Sequence, residues 1–296
     1  MTTIDREMTA KGFVSEKVIH RSSDNKTRIK QFRSIRTSER SGGKHASHCP
    51  SLIAGFPGAG LVGSISANFI IERSEMHQIA YVDSEFILPT VTFIGKKLRH
   101  PFRIYADSKG LLYVLVCEAP LIPEGIHSIM DLIVEWGIKN GIGEVITLDG
   151  VPVNDWPGRN REPTILTSYY VADQWRPFTE SGDGNDGEGH DSSGGRNKTT
   201  LIAGMSAGLL ASCISSDIMC TAVLIPTSTG VPDPEGASIL IEAISAMPKV
   251  PLELDTGPLL KEGEEIKRRL GETIESLRQQ ENSKKGPYPG RSGMYG

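Results

Sequence analysis

The stretch SLIAGFPGAGLVGSISANFIIE, residues 51–72, decides the fold class of this chain. Residues 51–55 form a short apolar run of strand length, and residues 61–72 carry apolar residues at helical spacing. A second apolar run follows at residues 78–82. A strand, a helix and a further strand in this order are typical of a βαβ unit, which favours a parallel sheet.

The same alternation continues along the chain and predicts an α/β protein with a largely parallel sheet flanked by helices. An antiparallel pair is predicted between residues 91–94 and 102–105. Further strands are predicted at 111–117, 144–148, 201–203 and 219–225, and helices at 123–140, 209–216, 234–247 and 259–281. On the 259–281 helix the apolar residues form one stripe, which predicts packing on the body or on a neighbouring subunit. These residues are Ile266, Leu270, Ile274 and Leu277.

Three segments differ in composition from a domain that we place at residues 50–283. Residues 1–49 carry 11 lysines and arginines against 5 acidic residues, which predicts a basic, flexible leader. Residues 182–198 are rich in Gly, Asp and Ser, and we predict a disordered insertion within the domain. Residues 284–296 contain closely spaced Gly and Pro, which predicts a flexible tail that ends in Met-Tyr-Gly.

The composition argues against several classes of protein. The sequence has no run of about 18 apolar residues and no apolar segment near its start, so we expect a cytoplasmic protein without a membrane partner. Four cysteines without a CxxC pair favour neither a disulfide framework nor a zinc ribbon. His45, His48 and Cys49 lack a fourth ligand at a recognisable spacing, and we expect no metal. The basic leader lacks interleaved aromatic residues, which argues against nucleic-acid binding.

A glycine motif, Gly58-x-Gly60-x-x-Gly63, lies between the first predicted strand and its helix. Asp83 follows twenty residues later, after another strand, which is the context of a dinucleotide-binding fingerprint. The alternative is that the glycines only allow the helix to pack closely on the sheet. A similar strand, turn and helix pattern at residues 201–212 lacks the full fingerprint and favours that alternative.

A second motif, Gly204-x-Ser206-x-Gly208, has the spacing of a nucleophile elbow. An α/β-hydrolase needs a histidine after its serine, but all seven histidines of this chain precede Ser206. We therefore expect no hydrolase. Four carboxylates near turns show no paired spacing, and we interpret them as structural, with one of them as a helix cap at Asp233. The four are Asp149, Asp155, Asp233 and Glu235.

Three longer stretches carry a resemblance to a known family: GFPGAGLVGSISANFI, EAPLIPEGIHSIMDLIVEWGIKNGIGEVITLDGVPV and PTSTGVPDPEGASILIEAI. Together with the charged terminal helix they resemble the proteasome assembly chaperone family, in its archaeal branch, over residues 50–280. The resemblance implies a non-catalytic α/β domain similar to the nucleoside phosphorylase fold, without a cofactor. It also implies a homo-oligomer, which we expect to be a tetramer, that binds the α subunits of the proteasome core particle.

The last three residues, Met294, Tyr295 and Gly296, match the hydrophobic-tyrosine-any terminus of family members that are similar to proteasome activators. The resemblance implies that this end inserts between α subunits. Chemically, the apolar side chain can fill a slot, the ring can cover its rim and the carboxylate can pair with a lysine. The leader and the 182–198 insertion depart from the family pattern. The leading alternative is a dinucleotide- or nucleoside-binding enzyme that uses the glycine motif and Asp83.

Overall fold

The computed structural model describes residues 16–32, 49–94, 96–154, 161–168 and 201–265. The strands are β1 (Glu16–Arg21), β2 (Thr27–Phe32), β3 (Ser51–Gly55), β4 (His77–Ser84), β5 (Thr92–Ile94), β6 (Lys97–Arg99), β7 (Phe102–Ala106), β8 (Leu112–Cys117), β9 (Glu144–Pro152), β10 (Thr164–Thr167) and β11 (Met219–Thr227). The helices are α1 (Val62–Arg73), α2 (Ile126–Lys139), α3 (Gly204–Ser215), α4 (Pro234–Ser245) and a last one at 257–265, α5.

Nine strands form one sheet, in the order β1-β2-β4-β7-β8-β3-β9-β11-β10. The four neighbours β8, β3, β9 and β11 run parallel, and every other pair in this sheet is antiparallel. The predicted α/β class is confirmed, with the parallel pairing at the centre of the sheet. Strands β5 and β6 form a separate two-stranded hairpin.

The central strands are buried because helices cover both faces of the sheet. All residues of β3 and β8 are buried, and alternate side chains enter two different cores. Ile53 points toward α1 and α4, while its neighbour Leu52 points toward α2 and α3. Among the described residues no helix is both long and apolar enough to cross a membrane.

Part of the predicted flexible leader belongs to the sheet. Strands β1 and β2 pair with each other, and β2 adds antiparallel to β4. In β2, Thr27 and Ile29 are buried, whereas Arg28 between them is exposed, which is the alternation of a half-buried strand. The prediction of a flexible leader is wrong for residues 16–32. It was based on the net charge of the segment, which carries no information about the two-residue alternation of buried and exposed side chains. Residues 1–15 and 33–48 lie outside the described residues.

Two other local predictions were wrong. Residues 92–94 pair with Lys97–Arg99 rather than with residues 102–105, which form a buried strand between β4 and β8. The apolar run 201–203 forms no strand; it leads directly into α3, which begins at Gly204. The 182–198 insertion and the predicted apolar stripe on 266–277 lie outside the described residues.

Candidate functional site at the carboxyl edge of the parallel strands

The glycine turn, residues 56–61, connects β3 to α1 at the carboxyl edge of the parallel strands. Each motif glycine lies against the protein's own atoms. A Cβ atom at Gly58 would be 2.5 Å from Asp149 Oδ1, one at Gly60 would be 2.2 Å from Thr227 Oγ1, and one at Gly63 would be 2.3 Å from the carbonyl oxygen of Leu148. Gly60 also has a φ of +60°. The space that the glycines create is filled by β9 and β11, which supports their interpretation as packing residues.

The structure does not bring Asp83 to the glycine turn. Asp83 lies on β4, and two strands, β7 and β8, separate β4 from β3. Its Oδ2 accepts from Arg28 Nε at 2.8 Å and lies 3.4 Å from Lys30 Nζ. Burial alone would raise the pKa of Asp83, but these two cations on β2 lower it below its usual value. The Asp83 carboxylate therefore links β2 to β4. The structure does not bring it together with Gly58, Gly60 and Gly63 in the arrangement of a dinucleotide-binding site.

Ser206, the residue at the centre of the second motif, is paired with Asp149. Its Oγ donates to Asp149 Oδ2 at 2.7 Å, and the Gly150 amide donates to Asp149 Oδ1 at 2.8 Å. Only 1% of Ser206 is exposed, and no imidazole hydrogen-bonds to it in the part of the chain that the structure describes. Burial raises the pKa of Asp149, and the two hydrogen bonds only partly offset this. The pair ties α3 to β9 and does not present a nucleophile.

Asp233 joins two of the three stretches that carry the family resemblance. As predicted, it caps a helix: its Oδ1 accepts from the Gly236 amide at 2.9 Å, at the start of α4. Its own amide donates to the carbonyl oxygen of Gly60 at 2.8 Å, which fixes the glycine turn beside α4. The carboxylate also accepts from Thr227 Oγ1 at 2.7 Å and from both terminal nitrogens of Arg161, at 2.5 and 2.6 Å.

Arg161 is the residue that sequence reasoning missed. It is buried, and its Nη1 also donates to the carbonyl oxygen of Pro226 at 2.7 Å. Burial alone would raise the pKa of Asp233, but hydrogen bonds from Arg161, Thr227 and Gly236 lower it below its usual value. Because the pair is 72 residues apart in sequence, no local pattern could have indicated it.

An open groove of about 480 Å³ runs along the outer side of α1, and we call it the α1 groove. Its apolar lining residues are Leu61 at the end of the glycine turn, Ile65 and Phe69 on α1, each four residues after the one before, and Leu259 of α5. Since the inner face of α1 is also apolar, this helix has two apolar faces. The exposed acids Glu72 and Glu262 lie at the rim.

Glu118 closes one end of the α1 groove and is already paired. Its Oε1 accepts from Asn68 Nδ2 at 3.0 Å, and its Oε2 lies 2.9 Å from Nη1 of the buried Arg103. Burial alone would raise the pKa of Glu118, but Arg103 and the hydrogen bonds from Thr92 and Asn68 lower it below its usual value. The charge of Glu118 is thus neutralised within the chain. The exposed Glu72 and Glu262 share the groove edge with Arg73, whose guanidinium carbon lies 5.3 Å from the centre of the Phe69 ring.

The three terminal residues predicted to bind a partner, Met294, Tyr295 and Gly296, lie outside the described residues. The described chain ends at residue 265, on the helix that lines the α1 groove. Within the described ranges, no three His, Cys, Asp or Glu side chains are grouped so that they could hold a metal ion.

These observations define a class of protein, an α/β protein in which the carboxyl edge of the parallel strands is filled by the chain itself. The glycine turn, the Ser206–Asp149 pair and the buried Arg161–Asp233 ion pair fill this edge, and the α1 groove lies outside it. The chain belongs to the PAC2 family, whose model matches residues 52–274.

Three solved structures show the same fold. A protein of unknown function from Thermoplasma acidophilum is 29% identical, with a TM-score of 0.58 over 79% of this chain and 91% of the other. PbaA of Pyrococcus furiosus, an archaeal homolog of proteasome-assembly chaperone, is 25% identical, with a TM-score of 0.61 over 80% of this chain and 93% of its own. PbaB of the same organism, an archaeal proteasome activator, is 19% identical, with a TM-score of 0.57 over 86% and 99%. The family resemblance indicated by the sequence is confirmed.

Proposed function

We propose that this protein binds the α-ring of the proteasome core particle and acts as an assembly chaperone or ATP-independent activator. The observation that carries the proposal is membership of the PAC2 family together with the likeness to PbaA over four fifths of the chain. The likeness to PbaB shows the common fold.

The geometry of the carboxyl edge supports a role in binding rather than in catalysis. The glycine turn is filled by Asp149 and Thr227, and Ser206 is buried against a carboxylate. A nucleophile or a phosphate cradle needs an open approach to the reacting atoms, which this edge does not provide. The protein acts by contact, in the cytoplasm, without a nucleotide.

The C-terminal tail makes the contact with the α-ring. Residues 284–296 span roughly 40 Å when fully extended, enough to reach from the folded body into a pocket between subunits. Met294 fills an apolar slot, Tyr295 covers its rim, and the carboxylate of Gly296 pairs with a lysine. One tail binds weakly, and several tails on one homo-oligomer gain affinity through effective concentration.

The test is surface plasmon resonance with immobilised core particles, or free α-rings, and three forms of the full chain. The intact protein and a Tyr288→Ala variant, which changes the tail outside its last three residues, should bind. A variant that lacks Met294, Tyr295 and Gly296 should not. Equal binding by the intact and shortened chains would show that the folded body makes the contact, and no binding by any form would remove the proteasome assignment.

If the shortened chain fails to bind, hydrolysis of a fluorogenic peptide by the core particle distinguishes the two roles. An activator raises the rate of hydrolysis when it is intact and leaves it unchanged when the last three residues are missing. An assembly chaperone instead speeds the formation of α-rings from free subunits.

A further inference from the structure

Two of the four cysteines, Cys213 and Cys220, lie against each other in the core. Cys213 is in the last turn of α3, and Cys220 is the second residue of β11. Only 0% and 2% of these residues are exposed, and both are free thiols in the same apolar cluster. Their side chains hydrogen-bond to each other, and Cys220 Sγ lies 3.8 Å from the carbonyl oxygen of Leu210, one turn earlier on α3.

The turn between α3 and β11 explains this contact. The carbonyl oxygen of Cys213 accepts from the Ile218 amide at 2.9 Å, and that of Ile214 accepts from the Asp217 amide at 3.2 Å. With a φ of +55° at Asp217, these two bonds form a Schellman motif, which ends the helix and reverses the chain. The first residues of β11 therefore pack against the end of α3, and the two cysteines meet without a CxxC spacing.

The sheet holds Cys220 in place. Its amide donates to Ser168 Oγ at 3.0 Å, and its carbonyl oxygen accepts from the Ser168 amide at 2.9 Å. On its other side β11 pairs with β9, where Cys220 lies opposite Val145. With its backbone fixed on both sides, Cys220 keeps its sulfur beside Cys213, and a reaction between the two sulfurs has the advantage of proximity.

The hydrogen bond between the thiols gives them different reactivities. It lowers the pKa of Cys220, as does a hydrogen bond with Ser168, whereas burial and the charge of Glu144 act in the opposite direction. The same bond, together with burial, raises the pKa of Cys213. Because the thiolate is the nucleophilic form of cysteine, Cys220 reacts first and Cys213 keeps its proton until the second step.

We propose that Cys213 and Cys220 form a reversible disulfide when the folded protein meets a hydroperoxide. The Cys220 thiolate attacks one oxygen of the O–O bond and becomes a sulfenic acid, while the other oxygen leaves and takes up a proton. The Cys213 sulfur then attacks the Cys220 sulfur, and the sulfenic hydroxyl leaves with the Cys213 proton as water. The two sulfurs supply the two electrons that reduce the hydroperoxide, and a dithiol reductant reverses the reaction.

The oxidant reaches the pair at the end of α3. Residues 214–217, which join the two cysteines, are exposed. Helix ends open locally at a lower cost than global unfolding, and opening of the last turn of α3 uncovers both thiols while the sheet stays intact. The inference goes beyond the proposed function, and its tests need no proteasome.

The first test maps the thiols of the full chain after treatment with hydrogen peroxide under native conditions. The protein is then unfolded, alkylated with N-ethylmaleimide and digested with trypsin. Both cysteines lie on one peptide, 199–249, because no Lys or Arg lies between its ends. This peptide should be lighter by two hydrogens and take up no maleimide, and dithiothreitol should restore both sites. If both cysteines still take up maleimide when the exposed Cys49 has been oxidised, the proposal is overturned.

Single variants test the two roles. In Cys213→Ser the reaction should stop at the Cys220 sulfenic acid, which dimedone labels, whereas in Cys220→Ser dimedone should not label Cys213. Cys117→Ser is the matched control: Cys117 is also buried, but its thiol donates to the carbonyl oxygen of Ala119 and burial raises its pKa to about 12. This variant should form the disulfide as the intact chain does. Labelling of Cys213 in place of Cys220 would contradict the assigned roles.

The melting temperature shows whether the native fold accommodates the bond. A disulfide between these positions closes a short loop, so oxidation should raise the melting temperature by about 5 °C, and dithiothreitol should reverse the increase. The Cys213→Ser/Cys220→Ser variant should show no such increase. A lower or unchanged melting temperature of the oxidised intact chain would mean that the disulfide forms only in a distorted or unfolded protein, and the proposal would be wrong.

Discussion

At the scale of single residues, Gly60 combines two constraints that the sequence motif alone does not separate. Its φ is +60°, and a Cβ atom would lie 2.2 Å from Thr227 Oγ1. Gly204 has a φ of +75° but no heavy atom within 4 Å of its Cβ position. A substitution at Gly204 therefore measures the cost of the positive φ alone, without the steric clash that a side chain at Gly60 would add.

We expect Gly204→Ala to lower the free energy of unfolding by about 1 kcal/mol, from left-handed strain alone. Gly60→Ala should lower it by about 2–4 kcal/mol, because overpacking against Thr227 is added to the strain. Urea denaturation followed by circular dichroism measures both. Equal losses for the two variants would show that close packing is not the reason for glycine at position 60.

Asp149 predicts a pH dependence of stability. Its pKa is raised chiefly by burial, so the folded protein holds the proton more tightly than the unfolded chain does. Stability from this group is therefore lost as the pH rises from the ordinary aspartate pKa through the raised one. Asp149→Asn keeps hydrogen-bonding atoms toward Ser206 and Gly150 without the buried charge.

We expect the melting temperature of Asp149→Asn, relative to the intact protein, to increase as the pH rises from about 4 to about 7. Ser206→Ala should have the opposite effect, because it removes a hydrogen bond that stabilises the charged carboxylate. Differential scanning calorimetry at several pH values makes the comparison. If the melting temperatures of all three proteins changed with pH in the same way, burial of the charged Asp149 carboxylate would not lower the stability of the fold.

At the scale of secondary-structure elements, β2 shows how a charged segment can be part of a core. Ile29 is fully buried between the exposed Arg28 and the half-buried Lys30. We expect Ile29→Ala to lower the free energy of unfolding by about 2–4 kcal/mol, as for other buried isoleucines. Gln31→Ala, two residues further along the same strand, should change it by less than about 0.5 kcal/mol.

A flexible leader would give a different result for these two variants. If the segment were detached, both substitutions would leave the urea midpoint unchanged, and the pairing of β2 with β4 would be wrong. Loss of stability at Ile29 alone would confirm that the basic segment extends the sheet, with Arg28 and Lys30 held by Asp83 on its neighbour.

At the scale of the whole molecule, the proposed homo-oligomer and the proposed tail contact predict binding by avidity. A synthetic peptide of residues 284–296 presents one tail for each particle in solution. We expect its apparent affinity for core particles to be about 10²–10⁴ times lower than that of the intact protein. Surface plasmon resonance at low density of core particles measures the ratio. A ratio near one would mean that a single tail accounts for binding.

The site was predictable only in parts. The cap at Asp233 follows from a short, local pattern of Asp, Pro and Glu before an apolar helix, and the structure confirms it. The fingerprint interpretation of Gly58, Gly60, Gly63 and Asp83 failed because it depended on which strands are neighbours. Two strands separate Asp83 from the turn, and spacing along the chain contains no information about that order.

The sequence by itself determined the α/β class, the central strands, the glycine turn and the family, because each depends on residues that are close along the chain. Tertiary structure alone decided that β1 and β2 join the sheet, that Arg161 meets Asp233, and that Asp149 and Thr227 fill the space beside Gly58 and Gly60. The physical reason is that local propensity depends on neighbours in sequence, whereas pairing, burial and ion pairs form between residues brought together only by folding.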